Sequence, residues 1–348
     1  MKKSKITNLI KELIELCDKY GLGDPFASGR AREIVLSSGL GQNIGEVLAE
    51  CDAFTYDEDG NREEFEYKTS LGSTFKYNES KKATWDETYK KLKKKITGNK
   101  YHYYAKFSKR MDIKEVYYID GETVFEILIP KLEERYNTLN NVKSSKNLRD
   151  RRLYTMMSVR DIKEFGKVFN LDLLIKKQDS PIEEVIDAIV NLIDVFKEEG
   201  LGDPFGAGRT REAILAEFLD HNIGNDLSGE DAYDENGNEF EYKTGFDFNG
   251  RYEVSTFPTW EEQEKYLLNE KIGYYKFHYY ATFNRKYEIQ KVYRISGEKA
   301  NKVLIPKFKK FYKRDKKNLA SQTLTANMYV NDIREHGELI FLSKVANR

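Results

Sequence analysis

Two short stretches of this chain carry side chains whose types and spacing suit phosphodiester hydrolysis. The hexapeptide EFEYKT occurs at 64–69 and again at 239–244. Alternate residues of a strand share a face, so Glu64, Glu66 and Lys68 point one way, as do Glu239, Glu241 and Lys243. Phe65 and Tyr67 then face a core, and Asp52 or Asp231 on a neighbouring strand can approach the glutamate. Two converging carboxylates with a strand carbonyl suit Mg2+, which takes few protein ligands and keeps several waters. Asp52, Glu66, Asp231 and Glu241 are therefore the candidate metal ligands. The nearby lysine can orient a water or help deprotonate it, and can stabilise a phosphorane-like transition state. Glu-x-Lys alone is a weak signal in a chain with 33% charged residues; the bland alternative is a solvated strand face with cross-strand ion pairs. Its recurrence, each time after Asp-Ala and a turn, shifts the weight toward a metal site.

The elements around these residues are duplicated. GLGDPFASGRARE starts at Gly21 and GLGDPFGAGRTRE at Gly200, an offset of 200 − 21 = 179 that holds through Asp52 and Asp231. The offset falls to 175 at EFEYKT and at Thr84-Trp85 against Thr259-Trp260. HYYA at 102–105 matches 278–281, and DIKEFG at 161–166 matches DIREHG at 332–337. Two long units are a duplication rather than a solenoid. The expected domains are 1–172 and 173–348. Ser180-Pro181-Ile182-Glu183 reads as the start of a helix, with Ser as N-cap, Pro at the first position and Glu placed for a capping box. Each unit is expected to run amphipathic helix, second helix (32–37; 211–216), hairpin with a D/N-G turn, Lys/Glu-rich helix and aromatic strand. That is a mixed α/β unit with a largely antiparallel sheet.

At 348 residues the chain has length for two cores. Its 24 Tyr and 20 Phe fit packed sheets, and no apolar run is long enough for a membrane span. Cys17 and Cys51 are the only cysteines, which argues against structural zinc and disulfides and fits a cytoplasmic location. The net charge of +0 hides clusters: KKLKKK at 90–95 and KFKKFYKRDKK at 307–317 are basic, while 57–66 and 230–241 are acidic. Nucleic-acid binding depends on such placement more than on the sum.

The Asp, spacer, Glu-x-Lys order resembles the signature of the PD-(D/E)XK nuclease superfamily, although the proline usual before the Asp is missing in both halves. Gly29-Arg30-Ala31-Arg32-Glu33 with Leu36, and Gly208-Arg209-Thr210-Arg211-Glu212 with Leu215, resemble the Gly-x3-Glu-x2-Leu helix of MutH-like nicking and restriction endonucleases. The resemblance implies that Glu33 and Glu212 join Asp52, Glu66, Lys68 and Asp231, Glu241, Lys243 in two catalytic sites. It also implies an additional lysine on the helix after Thr-Trp. Lys93 is the first-half match, and Leu268 stands at the aligned place with Lys271 nearby. The fold implied is a pair of restriction-endonuclease-like domains related by pseudo-two-fold symmetry.

A duplex has two antiparallel strands, and most restriction enzymes meet them by homodimerising. The expectation here is a monomeric pseudodimer: a Mg2+-dependent type II restriction enzyme acting on double-stranded DNA, paired with a methyltransferase. Arg30, Arg32, Arg209 and Arg211 are candidate phosphate contacts or, alternatively, partners of the acidic turns. Arg149, Arg151, Arg152, Gln322, Thr325 and Asn327 have the donor and acceptor types for groove readout. His102, His278, Trp85 and Trp260 read as packing residues. A non-catalytic DNA-binding protein on a nuclease fold and a structure-specific repair nuclease stand as alternatives.

Overall fold

A computed structural model describes residues 3–45, 51–72, 74–141, 152–206, 208–224, 230–248, 250–315 and 323–343. The first repeat runs α1 (Lys3–Lys19), α2 (Arg30–Leu40), β1 (Asn43–Ile44), β2 (Ala53–Tyr56), β3 (Arg62–Ser70), β4 (Phe75–Ser80) and α3 (Trp85–Thr97). It continues β5 (Tyr101–Phe107), β6 (Ile113–Asp120), α4 (Gly121–Asn141), β7 (Arg152–Met157), α5 (Val159–Phe165) and β8 (Lys167–Val168). The second repeats the series as α6 (Glu183–Glu198), α7 (Arg209–Phe218), β9 (Asn222–Ile223), β10 (Ala232–Tyr233), β11 (Glu239–Gly245) and β12 (Gly250–Ser255). Then follow α8 (Trp260–Tyr266), a π-helical turn (Leu267–Lys271), β13 (Phe277–Phe283), β14 (Ile289–Ser296), α9 (Gly297–Asp315), β15 (Thr323–Met328), α10 (Val330–His336) and β16 (Glu338–Leu342).

Contacts group the chain into two compact units, residues 15–191 and residues 1–14 with 192–348, the divisions falling within α1 and α6. Each unit holds a six-stranded sheet, ordered β1-β2-β3-β5-β6-β8 and β9-β10-β11-β13-β14-β16. Each also has a two-stranded ribbon, β4-β7 or β12-β15. The architecture is mixed α/β. Most pairs are antiparallel, but the EFEYKT strand pairs in parallel with the aromatic strand, Glu66 opposite His102 and Glu241 opposite His278. A parallel neighbour needs a crossover, and the Lys/Glu-rich helix after Thr-Trp supplies it.

Local chemistry explains the repeated segments. Asp57 Oδ1 accepts from the backbone N–H of Asp59 and Asn61 at 3.0 and 2.8 Å, and Gly60 takes φ 79°. Asp234 and Gly237 close the second hairpin the same way. Thr84 and Glu87 form a capping box at α3, as Thr259 and Glu262 do at α8, so the Thr-Trp-x-Glu pattern is a helix start. Trp85 and Trp260 pack at 5.2 and 5.4 Å on Tyr136 and Tyr312. At α6 the expected capping box is replaced: the Ser180 hydroxyl accepts from the Ile182 N–H at 3.2 Å and meets Ser38 Oγ at 2.6 Å, while the Glu183 N–H donates to the Ser180 carbonyl at 3.2 Å. The core of each unit lies between sheet, ribbon and long helix, with Tyr77, Leu92, Ile96, Tyr104, Leu128 and Met157 in one and Tyr252, Leu267, Ile272, Tyr280, Leu304 and Met328 in the other.

Candidate active site

Asp52 sits just before β2, where the strand pairing gives out. Its backbone N–H donates to Phe65 O at 3.0 Å, and its Oδ2 accepts from the Tyr67 N–H at 2.7 Å. The side chain thus continues the ladder with a carboxylate where a strand carbonyl would have been. Asp231 does the same, accepting from the Tyr242 N–H at 2.7 Å. The next inward residue on β3 is Glu66, which accepts a hydrogen bond from the Lys68 ammonium, and Glu241 accepts one from Lys243. All four side chains of those pairs are largely buried, between 12% and 20% exposed.

Glu33 and Glu212 reach the same clusters from α2 and α7. Each helix begins on a left-handed glycine, Gly29 at φ 86° and Gly208 at φ 91°. A Cβ there would lie 3.1 Å from Glu33 Oε1 or 3.2 Å from Glu212 Oε1. Glycine is required on both counts, which accounts for the Gly three residues before each Arg-Glu pair.

The electrostatics show three carboxylates held close together. Burial, then the charge of Glu66, pushes Asp52 up to about 7. Burial with Glu241 and Glu212 pushes Asp231 up to about 8. Burial also raises Glu33 and Glu212, against the pull of Arg30 and Arg209. Burial alone would raise Glu66 too, but the charge and hydrogen bond of Lys68 outweigh it and hold that carboxyl below its ordinary value. Lys68 and Lys243 are the mirror case: burial disfavours their charge, and the surrounding carboxylates more than restore it. Both lysines are therefore ammonium ions at neutral pH. In this state they can stabilise negative charge or donate a proton.

Behind each lysine runs a buried relay. Lys68 Nζ lies 4.9 Å from the Tyr77 ring centre, and the Tyr77 hydroxyl meets His102 Nδ1 at 3.1 Å and Tyr104 Oη at 2.7 Å. His102 Nε2 lies 2.9 Å from Ile96 O. A carbonyl can only accept, so Nε2 carries the proton, Nδ1 accepts from Tyr77, and Tyr77 accepts from Tyr104. Burial lowers His102 to about 4, consistent with a neutral ring. Lys243, Tyr252, His278, Tyr280 and Ile272 repeat the arrangement with 4.8, 2.8, 2.6 and 2.8 Å separations. The histidines are supports, as the sequence suggested.

Two sequence expectations need correction. Arg30 is 4% exposed, and its guanidinium donates to Leu22 O at 2.8 Å and Gly45 O at 2.7 Å, with Glu33 at 3.5 Å. Arg209 clamps Leu201 O and Gly224 O likewise. Neither is a surface phosphate contact, nor a partner of the acidic turns. Replacing Arg30 with Ala leaves two carbonyls without their donor, and the expected cost is about 2–4 kcal/mol in urea unfolding; an unchanged midpoint would contradict the buried clamp. Arg32 and Arg211 remain near the strand ends: Arg32 Nε donates to Thr69 at 3.3 Å, and Arg211 lies 5.3 Å from the Phe246 ring.

The second correction concerns the helix lysine. Lys93 and Lys95 are both exposed on α3, but Lys95 Nζ turns to the inward-facing Glu79 at 2.6 Å, and its charge is felt at both Glu66 and His102. Its counterpart is identified by the relay: Lys95 precedes Ile96 as Lys271 precedes Ile272, and both Ile carbonyls accept from the buried His. The repeat offset changes from 175 at Trp260 to 278 − 102 = 176 at His278. That one extra residue is absorbed in the π-helical turn at Leu267–Lys271, which returns a lysine to the same place. The offset step was the available signal.

Of the residues expected to read the groove, Arg149, Arg151 and Gln322 lie outside the described residues. Arg152 is exposed on β7, while Thr325 and Asn327 are half-buried on the open face of β15.

The donor set fits Mg2+ by its chemistry. Burial and, after it, the charges of Glu66 and Glu33 raise Asp52 to about 7, and a dication would offset that disfavoured charge. Among the described residues no three His, Cys, Asp or Glu side chains are arranged to hold a metal by themselves, and Lys68 engages one Glu66 oxygen. Such a site supplies two ligands and leaves the rest to water. Among the described residues no helix is long and apolar enough to cross a membrane.

No protein-family model matches the chain, and no curated protein matches it.

Proposed function

We propose that the protein is a Mg2+-dependent endonuclease for double-stranded DNA, of the type II restriction kind in the PD-(D/E)XK superfamily, hydrolysing one phosphodiester per strand with one site in each repeat. The observation that carries this reading is the twofold occurrence of the complete cluster. Glu33, Asp52, Glu66 and Lys68 recur as Glu212, Asp231, Glu241 and Lys243 with the same hydrogen bonds and the same raised aspartate. A binding protein on a decayed nuclease fold has no reason to keep two aspartates whose charge burial so disfavours.

Asp52 with Glu66, and Asp231 with Glu241, are the residues to hold the ion, which when bound neutralises phosphate charge and makes a water acidic enough to attack at neutral pH. Lys68 and Lys243, already cationic, stabilise the charge that builds on the phosphate oxygens. The Tyr-His relay fixes each lysine from behind, and Arg32 and Arg211 meet the neighbouring phosphates. A two-stranded ribbon fits the major groove. The outward faces of β4-β7 (Lys76, Asn78, Arg152) and of β12-β15 (Arg251, Thr325, Asn327) are assigned to sequence readout. Two sites in one chain make it a monomeric pseudodimer with its repeats related by a pseudo-two-fold axis, acting in the cytoplasm beside a protective DNA methyltransferase. The test is incubation with supercoiled plasmids of known sequence, in Mg2+ and in EDTA. Discrete Mg2+-dependent fragments support the reading. Intact plasmid with well-folded protein sinks it and leaves DNA binding without cleavage.

A further inference from the structure

The two clusters are alike, but the ribbon beside them differs. On β4, Phe75, Tyr77 and Glu79 face the core while Lys76, Asn78 and Ser80 face out. Glu79 is therefore a carboxylate on an apolar face, with only 8% of its side chain exposed. Its Oε1 lies 2.6 Å from Lys95 Nζ and its Oε2 3.7 Å from Lys91 Nζ. These lysines are one helical turn apart, so a single buried carboxylate ties the face of α3 to the ribbon. A buried carboxylate is retained only where cations satisfy it; here it in turn fixes where Lys95 stands. That place is beside the buried histidine of the cluster, because Lys95 directly precedes Ile96, whose carbonyl lies 2.9 Å from His102 Nε2, and Glu79 stands two residues after Tyr77, whose hydroxyl meets His102 Nδ1 at 3.1 Å.

In the second repeat Tyr252 occupies the place of Tyr77, sharing its histidine and tyrosine partners. Two residues further along the ribbon stands Val254, buried, in the position of Glu79. Among the described residues no carboxylate pairs with Lys271, the counterpart of Lys95.

We propose that Glu79 is a positioning residue that holds Lys95 beside the histidine support of the N-terminal site, that the C-terminal site has no such device, and that the two sites consequently cut at unequal rates with the N-terminal one first. The proposal rests on the nuclease reading above. Pre-placing a cation costs nothing at the moment of reaction, whereas a lysine left to find its position gives up part of that advantage.

The experiment uses the full chain with one site disabled at a time. Lys243→Ala leaves only the N-terminal site and Lys68→Ala only the C-terminal one, and each is followed by nicking of supercoiled plasmid under single-turnover conditions. Lys243→Ala is expected to nick roughly tenfold faster than Lys68→Ala. Adding Glu79→Gln to Lys243→Ala should remove that advantage, while adding it to Lys68→Ala should change nothing. The unchanged C-terminal rate on the same chain separates lost positioning from lost folding. Equal rates in the two single variants overturn the proposal, as does a Glu79→Gln effect on both sites. No nicking by either variant or by the unaltered protein overturns the nuclease reading itself.

Discussion

Lys68→Ala and Lys243→Ala are each expected to turn plasmid linearisation into nicking, and the double variant to abolish cleavage. Each lysine is largely buried, held cationic by the carboxylates around it, and braced by a tyrosine ring at 4.9 or 4.8 Å. Removing it takes the cation that pairs directly with the Glu-x-Lys glutamate out of its site. A preorganised charge of this kind contributes on the order of 10^2–10^4 in rate, so the altered site falls silent on the timescale of the intact one. Nicked circles accumulate because the other repeat still cuts. Linear product from either single variant at the normal rate would show that the lysine takes no part.

Metal binding gives the second large effect, in stability rather than rate. Asp52 and Asp231 have folded values of about 7 and about 8, above the ordinary 3.8. Between those limits the folded state holds protons that the unfolded state has released. Their contribution to stability is therefore complete below about 4 and is lost as pH rises through 7 and 8. Glu66 is lowered and titrates below this window. The metal-free protein should thus melt at a lower temperature at pH 8 than at pH 5. Ca2+, which binds such donors, should reverse the loss, raising the Tm by roughly 3–8 °C at saturating concentration. The rise should be larger at pH 8 than at pH 5, where protons compete for the same oxygens. Asp52→Asn should stabilise the metal-free chain at pH 8 and remove part of the Ca2+ response. A Tm indifferent to divalent ions at both pH values would contradict a metal site here.

Much of the fold was legible because its signals are local. The D/N-G turns, the Thr-x-x-Glu caps and the period-2 alternation of EFEYKT each depend on a few adjacent residues, and all three appear in the structure. The parallel β3-β5 pairing was not read, because pairing direction follows from the crossover and not from the strand itself. Within the site, Glu33 lay at a fixed spacing from Asp52 and the structure brings it within electrostatic reach of Lys68. Arg30 was misjudged because a charged residue beside a glycine gives no sign of burial. Its partners are the carbonyls of Leu22 and Gly45, set by how the loops fold back. Lys95 was missed in favour of Lys93 because three consecutive lysines on a helix differ only in the direction they face. Glu79 gave no signal at all: its significance comes from facing inward, where Lys91 and Lys95 reach it from the rim of the core.

The central claim is that one chain carries both cutting sites, and the kinetic order of linearisation tests it most directly. Rates of linear-product formation from a single-site plasmid should be measured over a wide range of protein concentration, with plasmid in excess. A single-chain pseudodimer gives a rate proportional to protein concentration, with linear product formed down to the lowest concentration that cuts. A rate rising with the square of concentration, with only nicked circles when protein is dilute, would mean that two chains must meet and would contradict the account.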